Sequence, residues 1–185
     1  MRNSKPRDMQ KTKLYAAERC PEHMRRWWTE TPCRDTTGVW VFFERITKDP
    51  WFLRHYGRWT LWLRNGQGAR IARGAYRGED LFRRHVADLK LPRWARYRQM
   101  ILHELAHAVA SQIHGSGNIQ GHGREYAAIY LDLVRHFLGA EAARQLRASF
   151  KAHGVKHRPK RVLSPEQLEV MRERGRQLAA RRLSA

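Results

Sequence analysis

Cysteine is almost missing from this 185-residue chain, which holds only Cys20 and Cys33. Two thiols exclude a disulfide-stapled miniprotein and a four-cysteine zinc ribbon. No run approaches the roughly 18 apolar residues that a membrane helix needs, so no membrane partner is expected. Met1 to Lys13 is charged, with no apolar stretch behind it, and does not read as a secretory signal. The expectation is a cytoplasmic protein with both thiols reduced. Acidic residues are scarce as well: 17 against 37 basic ones give a net charge of +20. Such a charge attracts polyanions and makes nucleic acid a candidate partner. The basic residues are 29 Arg and 8 Lys, and arginine excess also follows from GC-rich coding, so a solvated basic surface is the competing reading.

What is present suffices for a core: 42% of the residues are hydrophobic. The length fits one domain, residues 1–150, and a basic arm, residues 151–185. Residues 1–13 read as frayed, and Leu14 to Cys20 as helical before Pro21. The β-branched and aromatic stretch Gly38–Ile46 reads as a strand. Arg58–Arg64 alternates, and Asn65-Gly66 is a turn signal that would return Ala69–Tyr76 as its hairpin partner. Glu79–Leu89 reads as a short helix. From about Trp94 to Ile113 the apolar spacing is helical. His114–Gly121 is a glycine-rich loop, and Tyr126–Leu138 and Ala140–Phe150 are helices, the first stopped by Gly139. A final charged helix begins at Ser164-Pro165-Glu166-Gln167, a serine cap with proline at the first helical position.

The segment that carries chemistry is His103-Glu104-Leu105-Ala106-His107. On a helix, residues four apart lie about 6 Å apart along the axis, on one face. Two imidazoles so placed can converge on one metal ion. Glu104, beside the first of them, is placed to act as a general base on water activated by the ion. In a chain of this composition HExxH arises by chance with a probability of roughly 3%. A catalytic zinc needs a third protein ligand and an open position. His122, beyond the glycine-rich loop, is the leading candidate, with Glu125 and His114 as alternatives. The pattern HExxHxxGxxH does not apply, because Ala110 and Ile113 occupy its glycine and histidine positions.

HELAHAVASQIHGSGNIQGHGREYAAIYLDLVRHFLG resembles the core of SprT-like zinc peptidases, in which an HExxH helix is followed by a loop and an HGxE(F/Y/W) helix start. Here that start is His122-Gly123-Arg124-Glu125-Tyr126. The resemblance covers residues 101–139. It implies an α+β, zincin-like fold: a small antiparallel sheet packed on the HExxH helix, with a second ligand-bearing helix. It also implies Zn2+ held by His103, His107 and His122, Glu104 as general base, and a protein or peptide substrate. The opening Arg7-Asp8-Met9-Gln10 and Tyr15-Ala16-Ala17-Glu18, together with HELAH, is similar to small putative metallohydrolases of actinobacteria and their phages, which leaves a phage-encoded or nucleoid-associated setting open. Many SprT-like proteins carry a C-terminal zinc ribbon, and this chain has no cysteine after Cys33. Any nucleic-acid contact would fall to the basic surface and the C-terminal arm.

The expected function is a zinc-dependent metallopeptidase. The alternatives are a basic nucleic-acid-binding protein with a structural zinc site and a metal-dependent hydrolase of a non-peptide bond. Tyr126, Tyr130 and Arg124 are candidates to assist at the oxyanion. Cys20, His23 and Cys33 lack a fourth ligand at fitting spacing for a second metal site. Trp27-Trp28 after Arg25-Arg26 could stack on bases, or pack inward as core.

Overall fold

The computed structural model describes residues 7–19, 33, 35–66 and 68–158, with 169, 173 and 176. Cys20, His23 and the Arg25–Trp28 cluster lie outside the described residues. Of the expected C-terminal helix, Glu169, Glu173 and Arg176 are described. They are helical, and Arg176 pairs with both glutamates. No helix among the described residues is long and apolar enough to cross a membrane.

Helix α1 (Lys11–Arg19) buries Leu14, Ala17 and Glu18 at helical spacing. Its start is capped by Asp8, whose Oδ1 accepts the Lys11 N–H at 3.1 Å. The stretch expected to be a strand is instead α2 (Thr36–Lys48). Of its β-branched and aromatic residues, Val39, Phe42, Phe43 and Ile46 are buried on one helical face, while Trp40 and Val41 stay exposed. Asp35 caps the helix by accepting the Gly38 N–H at 2.7 Å. Side-chain spacing and a cap outweigh strand propensity here, because propensity differences are small beside burial. Helix α3 (Pro50–Tyr56) follows, with Asp49 accepting the N–H groups of Trp51 and Phe52 and proline in the first turn.

Three strands follow: β1 (Trp59–Asn65), β2 (Arg73–Glu79) and β3 (His85–Leu91). The sheet order is β1-β3-β2, with β1 parallel and β2 antiparallel to β3. This corrects the sequence reading in three ways. The sheet is mixed, not antiparallel. The hairpin joins β2 to β3, not β1 to β2. Residues 79–89 form the end of β2, a turn and most of β3, not a helix. The turn is made by Asp80, whose carboxylate accepts the Phe82 and Arg84 N–H groups and the Arg84 Nε. The strand β3 hid from the sequence because it is central and buried on both faces, so its pattern does not alternate. Asn65-Gly66 ends β1 against the chain entering the next helix: the Gly66 N–H donates to Leu91 O, and Asn65 Oδ1 accepts from Arg96. A Cβ at Gly66 would lie 2.6 Å from the Pro92 nitrogen.

After a single 3₁₀ turn (Arg93–Ala95) comes α4 (Arg98–His114), ended by Gly115 at φ 78°. Helices α5 (Arg124–Phe137) and α6 (Ala140–Ala152) complete the domain. The fold is α+β. Trp59, Leu61, Ala87, Leu89 and Leu91 line the sheet's inner face in the core, and α4 packs on β2 and β3 from that side. Helix α5 packs on α4, α6 on α5, and α1 on α6. The last core side chains are Phe150 and Val155.

Candidate metal centre

Helix α4 is buried along most of its length, including both His103 and Glu104. One helical turn brings His107 to the same side as His103, with ring centroids 5.0 Å apart. The loop 115–123 turns the chain back so that His122 meets both, at 5.6 Å from the His103 ring and 4.6 Å from the His107 ring. One ligand nitrogen from each of the three lies within 4.8 Å of the others. The structure therefore brings together the three histidines expected from the sequence as a group able to hold a metal ion. His114 is exposed at the C-terminal end of α4, and its carbonyl accepts from Asn118. Glu125 turns its carboxylate back toward Gly123. Neither belongs to the group.

Two of the rings are held from behind by carboxylates the sequence reading did not assign. Glu18 Oε1 lies 2.6 Å from His103 Nδ1. Asp8 Oδ2 lies 2.7 Å from His122 Nδ1 and also accepts the His122 backbone N–H at 3.1 Å. Each bond fixes the ring and leaves Nε2 directed into the site, as carboxylate partners of metal-binding histidines do. His122 Nε2 is buried and has no hydrogen-bond partner. An orphaned imidazole nitrogen is costly unless something binds it, and three imidazoles suit zinc. The donor set fits the ion.

Electrostatics follow this arrangement. Burial alone would depress His103, but the Glu18 carboxylate more than offsets it and raises the imidazole above its usual range. His122 is lowered: burial wins over the opposing Asp8. Burial raises Glu104, with Glu18 adding to it, against the opposing pull of His103 and of the Gly74 N–H. A carboxylate raised by burial in a cleft fits a proton-carrying role.

The tyrosines divide differently from expectation. Tyr126 is wholly buried, stacks on His107 at 4.2 Å, and donates its hydroxyl to the His103 carbonyl at 3.4 Å. Tyr130 receives Gln99 Nε2 at 2.7 Å. The Glu18 carboxylate behind His103 is near enough to help raise the Tyr130 phenol. Both are committed to holding the histidine shell and do not face the site as oxyanion donors. Arg124 lines a separate hollow with Met9, Lys13 and Gly154 and does not line the cleft at His107. The phenol beside the site is Tyr15, partly exposed, with its ring 5.0 Å from His122 and 5.8 Å from His103. Burial, with Glu104 next, pushes it up to about 12.

Residues 7–13, expected to fray, are thus part of the centre. Gln10 Nε2 donates to the His122 and Lys156 carbonyls, and its Oε1 accepts the Lys156 N–H. The one signal in the sequence was the Asp8…Tyr15…Glu18 string itself, a pair of carboxylates in a strongly basic chain.

A cleft of about 300 Å³ reaches the group at His107. Its walls are Arg73–Arg77 of β2 on one side and Ala110, Ser111 and the loop residues Ser116, Ile119 and Gly121 on the other, with His107 between them. Among the described residues β2 is an edge strand, and one row of its backbone groups has no strand partner there. It approaches α4 closely: a Cβ on Gly74 would fall 1.9 Å from the Glu104 carbonyl oxygen. Comparisons with protein families, curated proteins and solved structures found no match.

Proposed function

We propose that this protein is a zinc-dependent metallopeptidase of the zincin type, with His103, His107 and His122 as ligands and Glu104 as general base. The observation that carries the reading is the convergence of three histidine nitrogens beside a buried glutamate, two of the rings being clamped by carboxylates. The three imidazoles would hold a zinc ion, which when bound would supply a water of pKa near about 7 and polarise a carbonyl. Glu104 takes the proton of the attacking water and delivers it to the leaving amine. The Gly74 N–H holds the Glu104 carboxylate in place for both transfers. Tyr15 supplies the hydroxyl that Tyr126 and Tyr130 cannot, donating to the oxygen on which charge develops.

A peptide is favoured over other hydrolysable substrates by the edge of β2. An extended chain laid along the cleft would pair with that edge and pass His107 and Glu104. The resemblance of residues 101–139 to SprT-like peptidases points the same way.

Elemental analysis of the purified protein should give about one zinc per chain. Glu104→Gln and Tyr15→Phe should keep that zinc, while losing at least about a hundredfold and tenfold, respectively, in cleavage of an unfolded protein substrate. His122→Ala should lose the metal. Unimpaired cleavage by Glu104→Gln would remove the base from the scheme, and hydrolysis of esters but not peptides would move the protein to the non-peptide class.

A further inference from the structure

The side of the sheet turned away from α4 bears a second chemistry that the metal centre does not use. On β1 its residues are Thr60, Trp62 and Arg64, and on β3 they are Val86, Asp88 and Lys90. Val86 is buried yet stands outside the hydrophobic core. Trp62, in mid-strand, is 57% exposed. More than half of this indole remains in contact with water, so much of its apolar surface contributes nothing to stability there.

The charges on this face are arranged at a cost. Arg64 on β1, Lys90 on β3 and Arg73 on β2 are cross-strand partners in one row. Like charges directly opposite one another destabilise a sheet. Lys90 and Arg73 form no ion pair among the described residues. In the next row Asp88, only 3% exposed, binds Arg64 through two bonds of 2.7 and 2.6 Å and Arg77 through one of 2.7 Å. One carboxylate thus holds two guanidiniums that remain about half exposed. Their rotamers are fixed before any partner arrives, which lowers the entropy lost on binding. Four cations, two of them the anchored Arg64 and Arg77, and an exposed indole match a polyanion that also carries flat aromatic rings.

We propose that the outer face of the sheet binds single-stranded nucleic acid, with Trp62 stacking on a base and Arg64, Lys90 and Arg73 engaging successive phosphates. Single strands fit because their bases are free to stack, whereas a duplex offers this flat face only phosphates. The net charge of +20 draws the strand in, and the face fixes where it lies. The proposal does not rest on the metal reading, although Arg73, at the end of the row, also borders the cleft beside His107.

The test is titration of fluorescein-labelled 12-nucleotide dT and rU strands, with a 12-base-pair duplex alongside, in the presence and absence of EDTA. Wild-type protein should bind both single strands more tightly than the duplex, quench its tryptophan fluorescence, and ignore the chelator. Trp62→Ala should weaken binding at least about fivefold and remove most of the quenching. Arg73→Gln/Lys90→Gln should lower the slope of log affinity against log salt by about 1.4. Arg147→Gln/Lys151→Gln, the same charge change on α6, serves as the control and should leave affinity within about twofold. The proposal is overturned if no single strand binds in 50 mM salt, or if the face variants behave like the control. It is also overturned if poly-glutamate binds as tightly with the same dependence on Trp62, which would make the partner an acidic protein. Zinc content and melting temperature of each variant separate a lost contact from a lost fold.

Discussion

Glu18 shows how much depends on a residue far from the motif it serves. It stands 85 residues from His103 and is buried against it on a helix that otherwise reads as a short amphipathic segment. Its carboxylate fixes the ring through Nδ1, with the Tyr130 hydroxyl, held by Gln99, close by. Removing the charge while keeping the shape should therefore weaken the metal site without unfolding the chain. Glu18→Gln is expected to lower zinc affinity about 10- to 100-fold in a chelator competition, with Glu18→Asp recovering part of the loss. Affinity within twofold of wild type in Glu18→Gln would reduce this contact to packing. His122 carries the complementary lesson. Its Nε2 is buried and unpartnered while its Nδ1 is occupied, a state that makes sense for a ring whose free nitrogen awaits an ion.

Among the elements, the contact between β2 and α4 sets the depth of the cleft. Gly74 lets the strand backbone lie against the helix at Glu104, close enough for its N–H to reach the Glu104 side chain. Any side chain there must push the edge strand away. Gly74→Ala is expected to cost about 1–3 kcal/mol in urea denaturation, the usual range for overpacking, and to reduce peptide cleavage more than zinc content. Unchanged stability would mean that β2 moves freely against α4. Helix α2 makes the opposite point about local signals. Its residues favour strands as single amino acids, yet their spacing of three and four buries Val39, Phe42, Phe43 and Ile46 together, and the Asp35 cap supplies a start. The sheet order was illegible for a related reason. Asn65-Gly66 has hairpin chemistry, but here glycine serves the close approach of Pro92, and β3 is inserted between the two strands that the turn would have paired.

Over the whole molecule, the metal centre draws on three separated stretches: Asp8 to Glu18, His103 to His107, and His122. A bound ion would cross-link them and stabilise the folded state by mass action. At free zinc about 1,000 times its dissociation constant the gain is about 4.1 kcal/mol. For a chain of this size that corresponds to a rise of about 8–16 °C in melting temperature. Stripping zinc with a chelator should therefore lower the melting temperature by this order in wild-type protein and by almost nothing in His122→Ala. Equal shifts in both would place the stabilising ion elsewhere.

The HELAH pair and the glutamate beside it could be recognised from residue spacing alone, because a helix places positions four apart on one face whatever surrounds it. The glycine-rich loop and His122 could be named as partners for the same motif, since a bend must follow the helix for a third ligand to return. The choice among His122, Glu125 and His114 could not be made locally. It turned on which way the loop carried the chain and on an aspartate 114 residues upstream that holds the ring. Helix limits, strand order and the carboxylates behind the histidines likewise came only with the tertiary structure. Each depends on contacts between segments distant in sequence, and spacing along a chain carries no record of those.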